Sequence, residues 1–170
     1  VIPPNTSRVV ELKIPSQLGY ERVAREAVAA VARRLGFSSE RVDELKTAVD
    51  EACTNAIRHG SNADARMKVI VLLTADETKL DILVKDAGAG EAPAGEVVAP
   101  DIQAQVEGRN PPGGLGLWLI RQMVDEAYFV DDAESGGNQF RMVIYRVTDD
   151  RRSGEEGPPP AMVDEGGSRA

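Results

Sequence analysis

Residues 51–60 read Glu51-Ala52-Cys53-Thr54-Asn55-Ala56-Ile57-Arg58-His59-Gly60 and close an amphipathic run that begins at Glu40. At about 100° per residue, Val42, Leu45, Val49, Ala52 and Ala56 fall on one stripe, the pattern of a helix with one face in a core. Glu51 and Asn55 are four residues apart and so stand side by side on that helix. They lie just off the apolar stripe, next to Ala48. A polar pair in that place either borders a pocket or is an ordinary solvated flank, and the helix alone does not decide between them. Gly60 ends the run. His59 occupies the last turn, where partial positive charge suits the helix dipole, so it reads as a capping residue rather than a reactive one.

Outward from this helix the pattern is regular. Toward the N-terminus, Arg8 to Ile14 alternate, with Val10, Leu12 and Ile14 on one face, as in a half-buried strand. Pro15-Ser16 breaks that strand and offers a helix N-cap. Residues 17–35 then carry Tyr20, Val23, Ala24, Ala27, Val31 and Leu35 at helical spacing. Gly36-Phe37 is a helix stop, and Ser38 or Ser39 caps the central helix. Toward the C-terminus, the apolar runs 67–74 and 79–85 flank Ala75-Asp76-Glu77-Thr78 and predict an antiparallel hairpin. Residues 91–112 show no period. A helix follows Gly113-Gly114-Leu115-Gly116-Leu117, burying Leu119, Ile120, Met123 and Val124. A short strand at 127–130, a turn at Gly136-Gly137-Asn138 and a strand carrying Phe140, Met142 and Ile144 complete the pattern.

The order β-α-α-β-β-loop-α-β-β predicts an α/β two-layer sandwich, a mostly antiparallel mixed sheet with its helices on one face. The expected domain covers residues 8–148. Residues 1–7 read as a lead-in, and residues 149–170, rich in Gly, Pro and charge, as a disordered tail.

A net charge of −8 and a pI near 4.8 argue against direct nucleic-acid or anionic-membrane binding as the main role. No apolar run reaches the roughly 18–20 residues of a membrane span, and the first residues carry no signal-peptide core. With Cys53 the single cysteine, no intrachain disulfide exists, and a buried structural thiol in a cytoplasmic protein is expected.

Two further signals follow the Glu51/Asn55 helix in fixed order: Asp86-Ala87-Gly88-Ala89-Gly90 at a strand end, and Gly113-Gly114-Leu115-Gly116-Leu117 at a helix start. The first alone is compatible with a plain turn. The second alone is either a flexible entry to its helix or a phosphate nest, since free N–H groups at a helix start suit a polyphosphate. No Gly-Lys-Ser/Thr follows it, so it is not a Walker A loop, and no parallel βαβ unit surrounds it.

The three signals together, with residues 91–112 between the last two, resemble the N box and the two glycine boxes of the GHKL (Bergerat-fold) ATPase superfamily. The text from Asp43 to Gly60 is most similar to the RsbW-like anti-sigma-factor serine/threonine kinases of bacteria. The resemblance covers roughly residues 8–147. It implies a Mg-ATP site under a lid formed by residues 91–112, with Asn55 ligating Mg²⁺ and Glu51 as general base for an acceptor hydroxyl. Asp86, Gly88 and Gly90 would receive the adenine. Gly113, Gly114, Leu115, Gly116 and Leu117 would wrap the phosphates; Arg109 reads first as a solvated lid residue, with contact to the γ-phosphate or a partner as the alternative. The implied substrate is a STAS-domain anti-anti-sigma protein, and the implied captive is a sigma factor; a homodimer is compatible with the family. A histidine kinase would need a phosphoacceptor helix pair before Arg8, and a gyrase-type protein a transducer domain after the fold. A non-catalytic, nucleotide-dependent binding switch stays open beside the kinase reading.

Overall fold

The computed structural model describes residues 7–60, 62–87, 114–130 and 136–146. Its elements are β1 (Arg8–Pro15), α1 (Glu21–Arg34), α2 (Ser39–Asn55), a π-helical turn (Ala56–Gly60), β2 (Lys68–Ala75), β3 (Lys79–Lys85), α3 (Gly114–Met123), β4 (Glu126–Val130) and β5 (Gln139–Tyr145). The strands form one sheet in the order β1-β2-β3-β5-β4. All four pairings are antiparallel, so the mixed character expected of the sheet is not seen among the described residues.

Register explains why one face is core. Leu12, Val71, Val84, Phe140 and Phe129 stand abreast across the five strands, and Leu73, Ile82, Met142 and Ala127 form the next row. These rows join Ala24, Val28, Leu45, Val49, Ile57 and Ile120 from the helices in one apolar cluster, which places the helices on that face. The β2–β3 turn is fixed by Asp76, whose Oδ1 accepts from the amides of Thr78 (2.7 Å) and Lys79 (2.9 Å) and from the Thr78 hydroxyl (2.7 Å). An aspartate closing its own turn in this way is a local chain stop independent of the core.

Three sequence expectations are corrected. Ser16 does not cap α1: it is fully buried, its amide donates to the Met67 carbonyl at 3.0 Å, and Tyr20 takes the N-cap position with no side-chain bond. The buried face of α1 is Ala24, Val28, Ala29 and Ala32, whereas Tyr20 and Val23 are exposed. The helix starts four residues later than the periodicity suggested, after a turn at Gly19 (φ 104°), and its small residues face α2. On β1, Val10 is exposed despite its inward register, because it lies near the free end of an edge strand. Ser38 does cap α2, accepting from the Arg41 amide at 3.2 Å.

Candidate active site

The end of α2 carries the polar pair. Ala48, Ala52 and Cys53 are buried, while Glu51 and Asn55, four residues apart on the adjoining face, are half-buried. Cys53 is not a nucleophile: burial, then the charges of Asp50 and Glu21, push its thiol up to about 12.

The glycines at the start of α3 come to this pair. Gly116 lies in the first turn of α3, and a Cβ built there would overlap the Glu51 carboxylate. Glycine leaves the carboxylate room to rest against the α3 backbone, and a side chain there would make Glu51 turn aside. Glu51 is thereby aimed at a helix N-terminus, the end whose free N–H groups attract anions. Leu115 is exposed, whereas Leu117 packs into the core, which leaves only its backbone to face a ligand.

Asp86 follows β3 and is buried. Its Oδ1 accepts from the Asn138 amide at 3.2 Å, and its own amide donates to the Asn138 carbonyl at 3.1 Å. Gly137, in the left-handed region at φ 87°, passes so close to the Asp86 carbonyl that no Cβ fits there. From the other side Gly60 presses on the Asp86 carboxyl group with equally little room. The sequence marked Gly60 as a helix stop and Gly136-Gly137-Asn138 as a hairpin turn. Their shared role in gripping Asp86 was not legible there, because the contacts span dozens of residues.

The helix also departs from expectation between these points. Its α-helical part stops at Asn55, and Ala56–Gly60 winds as a π-helix, a rare form that recurs at functional sites. Ile57 is fully buried, and its carbonyl accepts from the Ala63 amide at 2.9 Å. Arg58 and His59 are exposed in this last turn, His59 in keeping with a helix-end role. Gly88, Gly90, Arg109, Gly113, the expected lid at 91–112 and the expected tail at 149–170 lie outside the described residues.

Glu51, one turn before Asn55 on α2, thus meets a glycine-opened helix, and a clamped buried carboxylate stands at the end of β3. Comparison with known proteins gives this arrangement a family: residues 14–144 match the model of the histidine kinase-like ATPase domain. The chain belongs to that family. Within it, the chain is 31% identical over 124 residues to the serine-protein kinase RsbW of Bacillus subtilis (strain 168), covering 72% of this chain and 78% of that one. The RsbW of Bacillus cereus (strain AH820) is 32% identical over 126 residues, with the same shares covered. A crystal structure of RsbU and RsbW domains from a Mycobacterium tuberculosis protein superposes with a TM-score of 0.56 at 16% identity. It matches 82% of this chain and 33% of that longer one, and at this identity supports the fold alone.

In a histidine kinase-like ATPase the described residues fit a magnesium–nucleotide group. Asn55 carries an amide oxygen, a donor type that suits a hard cation such as Mg²⁺. No cluster of three or more His, Cys, Asp or Glu side chains suited to a metal occurs among the described residues. No helix among the described residues is long and apolar enough to cross a membrane.

Proposed function

We propose that this chain is an anti-sigma factor with serine/threonine protein kinase activity. It binds Mg-ATP, phosphorylates a STAS-type anti-anti-sigma protein, and holds a sigma factor inactive in the cytoplasm. The observation that carries the reading is the contact of Glu51 with Gly116, which sets a carboxylate at a helix N-terminus suited to phosphate. The RsbW relatives supply the kind of reaction, since they are named serine-protein kinases.

In this reading the chemistry divides among the residues of α2, the end of β3 and the start of α3. Asp86 holds the adenine end, its carboxylate bonded to the Asn138 amide and packed against Gly60. The amides at residues 114–117 receive the phosphates. Asn55 would hold the Mg²⁺, which would supply neutralisation of phosphate charge during transfer. Glu51 accepts the proton of the incoming Ser or Thr hydroxyl. As that oxygen bonds to the γ-phosphorus, the bond from phosphorus to the β–γ bridging oxygen breaks, and ADP leaves with the electron pair.

The test is to recover partners on the immobilised chain from the parent cell and incubate each with labelled ATP and Mg²⁺. Label on a Ser or Thr of a STAS protein supports the proposal. Nucleotide binding without transfer to any recovered protein would favour the non-catalytic switch instead.

A further inference from the structure

Arg41 stands in the first turn of α2, at the opposite end of that helix from Glu51 and Asn55. Its side chain is half-buried and makes three directed bonds. Nη1 donates to Glu44 Oε2 at 3.0 Å and to the Met123 carbonyl at 3.1 Å, and Nη2 donates to Asp125 Oδ1 at 2.8 Å. Met123 ends α3, so its carbonyl is one of those a helix leaves without an internal partner. Asp125 is itself anchored to β5: its Oδ2 accepts from the Tyr145 amide at 2.7 Å, and its amide donates to the Val143 carbonyl at 3.1 Å.

Helices α2 and α3 therefore run antiparallel and meet directionally at both ends. Glu51 touches Gly116 at one end, and Arg41 grips Met123 and Asp125 at the other. Between them lies apolar packing that includes Leu45, Val49 and Ile120. Apolar burial is non-directional and resists sliding along the helix axis weakly. A planar guanidinium bonded to two acceptors at fixed angles resists it strongly.

We infer that Arg41 is a positioning residue for the phosphate end of the nucleotide site: by fixing α3 against the start of α2, it sets where residues 114–117 stand relative to Glu51 and Asn55. This rests on the reading that residues 114–117 receive the phosphates. The adenine end is independent of it, because Asp86 is held by Gly60 and Asn138, neither of which Arg41 touches.

That independence provides the test. Dissociation constants for ATP and for adenosine are measured by calorimetry with Mg²⁺ on the full chain, for the parent, Arg41→Ala, Arg41→Lys and Asp125→Asn. Arg41→Ala and Asp125→Asn should weaken ATP on the order of ten- to a hundredfold, the effect of a small misplacement at a remote support. Adenosine affinity should change less than about twofold, and Arg41→Lys should recover part of the loss by keeping one donor to Met123. If ATP and adenosine weaken together, or neither changes in Arg41→Ala and Arg41→Lys, the inference is overturned. The parent's own affinities separate the two levels. If the parent binds ATP no more tightly than adenosine, the phosphate reading itself has failed and takes the inference with it. If ATP is much the tighter ligand and both Arg41 variants keep that difference, the phosphate reading stands and the role of Arg41 falls alone.

Discussion

The Glu51 carboxylate lies against the backbone of Gly116 with no room between them for a methyl group. Two helices far apart in sequence are thereby locked into one site, and the group that would yield is the far end of a flexible side chain. Gly116→Ala should therefore unfold little, costing on the order of 1 kcal/mol. Its effect should fall on function, because Glu51 has to swing away from the incoming hydroxyl. Thermal melting near that of the parent together with loss of phosphoryl transfer is the expected pair of results. A strongly destabilised protein that keeps its rate per folded molecule would contradict it.

Gly60 presents the opposite case. A Cβ there would overlap the Asp86 carboxyl group, which Asn138 holds in place and which has little freedom to turn away. Gly60→Ala should cost about 1–3 kcal/mol by overpacking, and should weaken adenosine and ATP in parallel. Calorimetry with both ligands checks this, and unchanged adenosine affinity would remove Gly60 from the base-binding end.

Asn62 and Ala63 both adopt left-handed backbone, at φ 49° and 54°. An alanine there is strained by its Cβ, whereas glycine is not. Ala63→Gly should stabilise the fold by several tenths up to about 1 kcal/mol, the relief of strain outweighing the added freedom of the unfolded chain. Denaturant unfolding reads the change directly, and a loss of stability would show that the conformation is not imposed as described.

Cys53 makes stability depend on alkaline pH. Burial, reinforced by Asp50 and Glu21, raises its folded value to about 12 from about 9, so the native state holds the thiol proton more tightly than the unfolded one. The stability tied to that proton is complete below about pH 9 and is lost as pH climbs toward about 12. Unfolding midpoints should fall across this window, and Cys53→Ala should flatten the slope. Below pH 9 the native thiol should resist an aromatic disulfide reagent that reacts at once with the denatured chain.

The parts of this molecule legible in its sequence are those written at short range. The stripe Val42, Leu45, Val49, Ala52 and Ala56 locates α2 because helix period is local, and the same period sets Glu51 beside Asn55. Turn chemistry at Asp76 and at Gly136-Gly137 was equally readable. The buried face of α1 was misjudged because Tyr20 and Val23 are apolar at plausible spacing, and only the late helix start turns them outward. Arg41 gave no signal. Its acceptors lie 82 and 84 residues away, and an arginine on a helix looks solvated until the tertiary structure brings those acceptors to it. The grip of Gly60 and Gly137 on Asp86 was hidden for the same reason: a glycine announces backbone freedom, not which neighbour it makes room for.

The central claim is that Glu51 takes the proton of a protein hydroxyl while contributing little to holding the nucleotide. The most direct measurement is the single-turnover rate of phosphoryl transfer to a STAS protein at saturating Mg-ATP, alongside the ATP dissociation constant, for the parent and Glu51→Gln. The glutamine keeps size and packing against Gly116 but has no proton-accepting carboxylate. Transfer should fall on the order of a hundred- to ten-thousandfold, the usual contribution of a positioned base, with ATP affinity changed by less than about threefold. A rate that survives the substitution, or one that falls only in step with ATP affinity, would contradict the account.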